Sequence, residues 1–182
     1  MGGNTALPTF ADFSKTVQNG QADVLRGVYV TNVLALPIIQ QPSSNAGYVS
    51  DSDGLATQFS LAFKFGNIGL LAHNHLSGKN FMGLATGQEV CLVYGNGRVE
   101  YFVVREVLKY QALQPISSYS SFRSLDKDEV LSARQLFNRV YSGDRHVTFQ
   151  TCIEANGNQS WGRLFVIAVP MEKAFSLDRW YH

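Results

Sequence analysis

The sequence predicts a mostly β protein whose strands close into a barrel, with helices at the periphery. Segments in which apolar and polar residues alternate recur between residues 24 and 169, a pattern typical of half-buried strands. Turn-forming residues separate these segments, and the clearest turn is Gly95-Asn96-Gly97. Because an open sheet of seven or eight strands would leave exposed edges, the pattern favours closure into a barrel or a sandwich.

An amphipathic helix is predicted at the start of the chain. Pro8 stands where a helix can begin, and Gly20 stands where one can end. Between them Phe10, Phe13 and Val17 recur at helical spacing on one face. We therefore expect a short helix with one apolar side.

Strands are predicted in the first half of the chain over residues 24–33, 57–65 and 68–73. In the second of these, bulky apolar side chains alternate with polar or small ones at a period of two. The stretch QQPSSNAGYVSDSDG, residues 40–54, is rich in turn-forming residues and is predicted to be a polar loop.

In the second half, strands and one helix are predicted. The predicted strands are 89–94, 98–110, 147–152 and 163–169. The helix is predicted over residues 126–141, because Asp126 and Glu129 resemble a capping pair and apolar residues follow at helical spacing. The stretch EANGNQSWG, residues 154–162, is predicted as the loop between the last two strands.

Composition and charge exclude several classes of protein. With 15 Lys and Arg against 14 Asp and Glu, the net charge is +1, so nucleic acid is not an expected partner. No apolar run approaches the roughly 20 residues of a membrane helix, and the first residues lack the pattern of a signal peptide. Two cysteines are too few for a disulfide framework or a four-thiolate zinc site.

Cys152 is the residue that the sequence places best as a nucleophile. It ends a predicted strand and precedes a polar loop, where a rigid scaffold can present a reactive group. A free thiol has a pKa of about 8.5, so a catalytic cysteine needs an imidazolium or another cation nearby. Arg163 starts the next predicted strand and would stand beside the thiol if the two strands pair antiparallel. The available histidines are His73, His75, His146 and His182.

These elements resemble, in content and order, the motifs of the sortases, which are bacterial cell-surface cysteine transpeptidases. Residues 148–152, Thr-Phe-Gln-Thr-Cys, are similar to the family's Thr-Leu-x-Thr-Cys motif, and residues 163–168 resemble the arginine-led strand that follows it. Upstream, residues 70–74, Leu-Leu-Ala-His-Asn, resemble the family's strand ending in Gly-His. Residues 87–104 resemble the pair of strands after that histidine.

The resemblance implies a closed eight-stranded barrel over residues 23–182, preceded by a helical segment over residues 1–22. It also implies a helix between the sixth and seventh strands. His73, Cys152 and Arg163 would then converge on a surface groove. Some features are similar to class B sortases, but the sequence does not assign a class.

The reaction implied by the resemblance is transpeptidation. The Cys152 thiolate would attack a carbonyl group in a C-terminal sorting signal, and His73 would protonate the leaving amine. Arg163 would hold the tetrahedral oxyanion. An amine of peptidoglycan or of a pilin would then resolve the thioester.

The resemblance also implies substrate-binding roles for Thr151, Asn74 and His75. No cofactor and no metal ion are expected. The expected location is the bacterial cell surface, with membrane attachment through an anchor that this chain does not contain.

Alternative interpretations of these residues stay open at this stage. Cys152 is either a nucleophile, a core cysteine or the disulfide partner of Cys91. His73 and His75 are two positions apart and are also compatible with a metal site, although no third ligand is evident. Arg163 is also compatible with an edge-strand ion pair.

The function of the whole chain has two alternatives as well. One is a sortase-fold module that binds partners without catalysis, and the other is a thiol peptidase that only hydrolyses. The chain differs from the family pattern at Ala72, Phe149 and Ile153, and none of these differences removes a catalytic residue.

Overall fold

Ten strands and four helices make up residues 6–172, the part of the chain that the computed structural model describes. The helices are α1 (Phe10–Val17), α2 (Ser60–Lys64), α3 (Gly78–Phe81) and α4 (Ala133–Tyr141). The first five strands are β1 (Leu25–Val30), β2 (Leu34–Gln40), β3 (Ala56–Gln58), β4 (Ile68–Leu71) and β5 (Glu89–Tyr94). The remaining strands are β6 (Val99–Ala112), β7 (Phe122–Ser124), β8 (Val130–Leu131), β9 (Val147–Ala155) and β10 (Asn158–Pro170).

Eight of these strands close into a barrel, as predicted. Their order is β10-β9-β4-β3-β2-β1-β5-β6, and β6 pairs with β10 to complete the ring. The pairs β2–β3 and β4–β9 are parallel, and the other pairs of the ring are antiparallel. Strands β7 and β8 extend from the end of β6 outside the ring. Helix α4 lies between the sixth and seventh strands of the barrel, which confirms that prediction.

The barrel interior is filled by alternate side chains of its strands, because successive residues of a strand point to opposite faces. Large members that are fully buried are Leu34, Ile38, Leu70, Leu92, Phe102, Phe149 and Leu164. A separate apolar layer lies outside the barrel, where α4 packs its Leu136, Val140 and Tyr141 against Phe165 and Ile167 of β10.

Helix α1 covers another part of the outer surface and confirms the helix predicted there. Its N-cap is Thr9, whose hydroxyl accepts a hydrogen bond from the backbone of Asp12. Phe13 and Val17 are buried against Tyr29 and two residues of β5, as the spacing of the apolar residues predicts.

The predicted strand over residues 57–65 is wrong beyond its start. Strand β3 pairs with β4 only through Thr57 and Gln58, and α2 follows at once. Phe63 and Phe65 are 67% and 50% exposed. Their alternation with polar residues therefore does not indicate a strand with one buried face. In a segment this short, periodicity alone does not distinguish a strand from one helical turn.

The predicted helix over residues 126–141 begins later than expected. Residues 122–131 form β7 and β8, and α4 starts at Ala133. Its capping box consists of Ser132 and Gln135, not of Asp126 and Glu129. The true box has the side-chain types that accept from the first backbone N–H groups of a helix.

Two other regions also differ from the prediction. The strand predicted over residues 24–33 ends at Val30 and turns through Asn32, and β2 follows as an additional strand. The loop predicted over residues 154–162 is a two-residue turn, because Asn156 and Gly157 both have positive φ. Such a turn matches the twist of antiparallel strands, so β9 and β10 run on to meet it. In residues 6–172 no helix has the length and apolarity to cross a bilayer.

Candidate active site

Cys152 and Arg163 form a cross-strand pair on the outer face of the barrel. Strands β9 and β10 are antiparallel, and their register places Arg163 directly opposite Cys152. Directly opposed residues of antiparallel strands have Cβ atoms about 4.5–5.5 Å apart. Their neighbours Thr151 and Leu164 are buried at 3% and 1% exposure and point to the other face. The half-buried thiol and the guanidinium therefore project from the same surface.

The guanidinium of Arg163 is held by backbone carbonyl groups. Its Nη1 donates to the carbonyl oxygens of Ser160 and Gly162, both at 2.9 Å. Within the described residues it makes no ion pair with a carboxylate. The positive charge is thus not neutralised by a neighbour, and its other N–H groups remain available to an oxygen of a ligand.

His73 follows the end of β4, which is the other neighbour of β9. The parallel register pairs Leu71 with Gln150, and the backbone N–H of Ala72 donates to the carbonyl of Gln150 at 3.3 Å. Two residues further along each strand stand His73 and Cys152. The imidazole therefore follows the end of β4, beside the part of β9 that carries the thiol.

Two side chains contact the His73 ring. Its Nε2 lies 3.6 Å from Oδ1 of Asp51, which is 97% exposed. The His75 ring stacks on it, with 5.5 Å between ring centroids and 24° between planes. His73 is 38% exposed, so the ring is accessible to a bound molecule.

Gly78 permits the tight turn that fixes His73. Its backbone N–H donates to the His73 carbonyl at 2.9 Å. A Cβ atom at this position would lie 2.2 Å from Oγ1 of Thr151 and 2.6 Å from the carbonyl oxygen of His73. No larger residue fits there without displacing the end of β4 or the strand that carries Cys152.

Thr151, Asn74 and His75 lie beside these residues, and the structure gives each a definite environment. The hydroxyl of Thr151 donates to the Ala72 carbonyl at 2.8 Å, which joins the two strands. Nδ2 of Asn74 donates to the carbonyl of Gln159 at 3.0 Å. His75 is exposed and contacts His73. Of the six predicted site residues, Thr151, Cys152 and Arg163 thus lie within β9 and β10, and the other three follow the end of β4. Their substrate contacts stay predictions.

A cleft leads away from Arg163 between β10 and α4, with a volume of about 240 Å³. We call it the α4 cleft. Its apolar wall consists of Phe59, Phe122, Ala133, Leu136, Phe137, Val140 and Phe165. Its polar groups come from Ser117, Ser118, Tyr141, Gln150 and Arg163. The adjoining loop carries two highly exposed apolar residues, Ile116 at 98% and Tyr119 at 90%.

The two cysteines are both free and differ in character. Cys91 is 6% exposed in the layer beneath α1. Burial, together with the nearby Glu89, raises the pKa of the Cys91 thiol to about 12. Cys91 therefore remains protonated at neutral pH and is a structural residue.

The loop that carries Asp51 contains a turn in which Asp53 makes the main side-chain contacts. Asp53 accepts a hydrogen bond from the backbone of Gly54, which has a positive φ of 79°, and pairs with Lys79 at 3.3 Å. The Gly54 hydrogen bond and Lys79 lower the pKa of the Asp53 carboxyl. Between residues 6 and 172, no three His, Cys, Asp or Glu side chains are grouped to hold a metal ion.

Three residues of the site were not predicted from the sequence: Asp51, Gln150 and Tyr141. Asp51 and Tyr141 reach it through contacts between different elements, for which the sequence carries no local signal. Gln150 could have been predicted from its spacing, because a residue two positions before Cys152 in a strand lies on the same face.

Comparison with known proteins identifies the fold. No protein-family model and no curated protein matches this sequence. Among solved structures, sortase A of Listeria monocytogenes is 14% identical with a TM-score of 0.51, covering 81% of this chain and 86% of that one. A sortase transpeptidase of Clostridium perfringens is 12% identical with a TM-score of 0.51, covering 90% and 89%.

A third similar structure is a Streptomyces coelicolor sortase with a tripeptide in its active site. It is 16% identical with a TM-score of 0.50, covering 85% of this chain and 90% of that one. At these identities the comparison concerns the fold alone. This chain has the sortase fold, a closed eight-stranded barrel with a helix between the sixth and seventh strands.

Proposed function

We propose that this chain is a sortase-like cysteine transpeptidase whose catalytic residues are Cys152, His73 and Arg163. The observation that carries the proposal is the direct pairing of Cys152 with Arg163 on β9 and β10, next to the strand end that presents His73. A thiol, a cation and an imidazole on one accessible surface are the groups that acyl transfer through a thioester requires.

The first half of the reaction forms an acyl-enzyme. The Cys152 thiolate attacks the carbonyl carbon of the scissile amide, and the electron pair of the C=O bond moves to oxygen. The free N–H groups of Arg163 donate to this oxyanion. When the tetrahedral intermediate collapses, the C–N bond breaks and the leaving amine takes a proton from the His73 imidazolium.

The second half transfers the acyl group to an amine. The acceptor nitrogen attacks the thioester carbonyl and loses its extra proton to neutral His73. The C–S bond then breaks, which restores the thiolate and the imidazolium. The products are a new amide and an unchanged enzyme, so no cofactor or metal ion takes part in the cycle.

The proposed substrate is a sorting-signal peptide near the C-terminus of a surface protein, and the proposed acceptor is an amine of peptidoglycan or of a pilin. Thr151, Asn74 and His75 are proposed to support substrate binding beside Cys152. The proposed catalytic unit is residues 23–182, after a helical segment over residues 1–22. The setting is the bacterial cell surface.

The test is mass spectrometry of the intact protein after incubation with peptides of the Leu-Pro-x-Thr-Gly and Asn-Pro-x-Thr types, with and without an added amine. We expect an acyl adduct and an amine-dependent product, both absent in Cys152→Ala and His73→Ala. Hydrolysis of the peptide, with no product that depends on the added amine, would instead identify a thiol peptidase. No adduct with any peptide, together with slow alkylation of Cys152, would favour a binding module.

A further inference from the structure

Gln150 and Glu154 flank Cys152 on the same face of β9, and Gln150 is the one of the two that lines the α4 cleft. Gln150 and Cys152 are two positions apart in a strand and therefore project to the same side. The residue opposite Gln150 on β10 is Phe165, next to Arg163 in the α4 cleft. Gln150 thus stands between the proposed nucleophile and the apolar wall of the cleft.

The orientation of the Gln150 amide is fixed from behind by Tyr141. The phenol oxygen donates to Oε1 of Gln150 at 2.5 Å, and Tyr141 is only 2% exposed. Its ring is held by Phe59 and Phe137, each with 5.2 Å between ring centroids. Burial raises the pKa of the Tyr141 phenol, so the hydroxyl remains a donor at every working pH.

The opposite orientation of the amide is disfavoured. If Nε2 faced Tyr141, the phenol would accept a hydrogen bond and its own O–H would need another acceptor. Among residues 6–172, Oε1 of Gln150 is the acceptor that this hydroxyl has. A buried hydroxyl without an acceptor is costly, so the amide presents its oxygen to Tyr141 and its nitrogen to the cleft.

The Nε2 group then has unused donor capacity. Within the described part of the chain it makes no hydrogen bond, whereas Oε1 is engaged. The side chain is half-buried beside aromatic and aliphatic residues, where an unpaired N–H gains most from a ligand acceptor. Because Tyr141 already fixes the Gln150 side chain, little conformational entropy is lost when a ligand binds to its Nε2 group.

The geometry points to Gln150 as a specificity-determining residue: its Nε2 donates to a carbonyl oxygen of a peptide bound in the α4 cleft, and Tyr141 holds the donor in place. The inference rests on the proposed function for the attacking thiol, but it concerns peptide recognition and not transfer to an amine. The ligand class is an extended peptide that places an apolar side chain against Phe137 and Phe165.

The experiment compares two reagents that alkylate Cys152. One is acetyl-Leu-Ala-Thr chloromethyl ketone, which carries a peptide for the α4 cleft, and the other is iodoacetamide, which does not. Rates are followed by intact mass at pH 7.5. We expect Gln150→Met to slow the peptidyl reagent by about fivefold to tenfold, the loss of one hydrogen bond, and to leave the iodoacetamide rate unchanged.

Two further variants isolate the cause. Tyr141→Phe removes the hydroxyl that orients the amide, so we expect a smaller slowing of the peptidyl reagent and no additional slowing in the Gln150→Met background. Gln111→Met makes the same exchange on β6 outside the cleft and should leave both rates unchanged. Thermal denaturation of each variant separates loss of recognition from loss of folding.

The outcomes are distinct. Equal slowing of both reagents by Gln150→Met, an unchanged peptidyl rate, or a wild-type protein that does not prefer the peptidyl reagent would each overturn the inference. Preference for the peptidyl reagent that depends on Gln150, in a protein that forms no amine-dependent product, would retain the inference and reject the transpeptidase.

Discussion

The two cysteines of this protein both project from the outer face of the barrel, yet their surroundings are opposite. Helix α1 covers Cys91, and the nearest charged group is the carboxylate of Glu89. Cys152 is half-buried, and the residue opposite it is Arg163. The comparison shows how the elements packed on a strand determine whether a thiol is enclosed or accessible, and we expect the two thiols to differ in reactivity.

The largest expected difference is in the alkylation of the two thiols. With a pKa of about 12, only about one Cys91 side chain in ten thousand is a thiolate at pH 8. We expect iodoacetamide to label Cys152 in the folded protein and to label Cys91 only after unfolding. Peptide mapping by mass spectrometry measures this, with Cys152→Ala and Cys91→Ala as controls. Labelling of both residues at similar rates in the folded state would contradict the predicted difference in reactivity between Cys91 and Cys152.

The next effect concerns the cation beside Cys152. Replacing Arg163 with Gln keeps hydrogen-bond donors but removes the charge, and we expect acyl-enzyme formation to slow by about a hundredfold to a thousandfold. Arg163→Lys should restore only part of the rate, because an ammonium group lacks the planar fork of donors. Single-turnover acylation measures the effect. A Gln variant as fast as the wild type would exclude Arg163 from the reaction.

A smaller effect is expected from the backbone that positions the site. Gly78→Ala introduces a Cβ atom 2.2 Å from Oγ1 of Thr151, so strand β9 or the His73 turn must shift. We expect a loss of about 1–3 kcal/mol in the free energy of unfolding and a slower Cys152 acylation. Chemical denaturation and single-turnover kinetics report the two changes.

Gly83→Ala is the control for the glycine exchange. A Cβ atom there would meet its nearest neighbour at 3.4 Å, which is close to ordinary contact. If Gly78→Ala is as stable and as fast as this control, then the close approach of Gly78 to Thr151 does not constrain the site.

The smallest effect comes from a charged cluster outside the candidate active site, where Glu100 accepts hydrogen bonds from Tyr94 and Arg145. Partial burial raises the pKa of the Glu100 carboxyl, but Tyr94 and Arg145 outweigh it and the pKa is lowered. The carboxylate therefore stabilises the fold above the ordinary Glu pKa of about 4.3, and this contribution is lost as the pH falls through the lowered value.

Melting temperatures between pH 6 and pH 3 test this sign. The difference between wild type and Glu100→Gln should correspond to about 0.2–1 kcal/mol at pH 6 and should vanish at low pH. Cys152 alkylation at pH 8 should be the same in both proteins, since the cluster does not touch the site. A difference that grows as the pH falls would contradict the assignment.

Much of the barrel could be predicted from the sequence because its strands alternate strongly. Strand β5 has the predicted bounds, and the turn at Asn96-Gly97 joins it to β6 as expected. Residues 60–64 were assigned to a strand because one helical turn with exposed aromatic residues has the same short-range pattern. The start of α4 was misplaced because two acidic residues resembled a cap, while β8 pairing took the segment before Ser132.

For the site, the sequence predicted residues that stand in local motifs and not those brought in by tertiary contacts. The pairing of Cys152 with Arg163 follows from two adjacent antiparallel strands joined by a tight turn. Asp51 reaches His73 from a loop between β2 and β3, and Tyr141 reaches Gln150 from the end of α4. Neither contact has a periodicity or spacing that a sequence pattern could reveal.

The parallel pairing of β4 with β9 has a consequence for folding kinetics. The hydrogen bond from Thr151 to the carbonyl of Ala72 joins residues 79 positions apart. The barrel closes only when β10 pairs with β6. Contacts between residues so far apart in sequence can form only after a large loop has closed. The entropy lost in closing the loop comes before the contacts stabilise the fold, and this slows folding. During synthesis, His73 and Cys152 can come together only after β9 has emerged, and the ring closes only after β10. If Cys152 is the nucleophile that we propose, its acylation would therefore report that β9 and β10 have closed the ring.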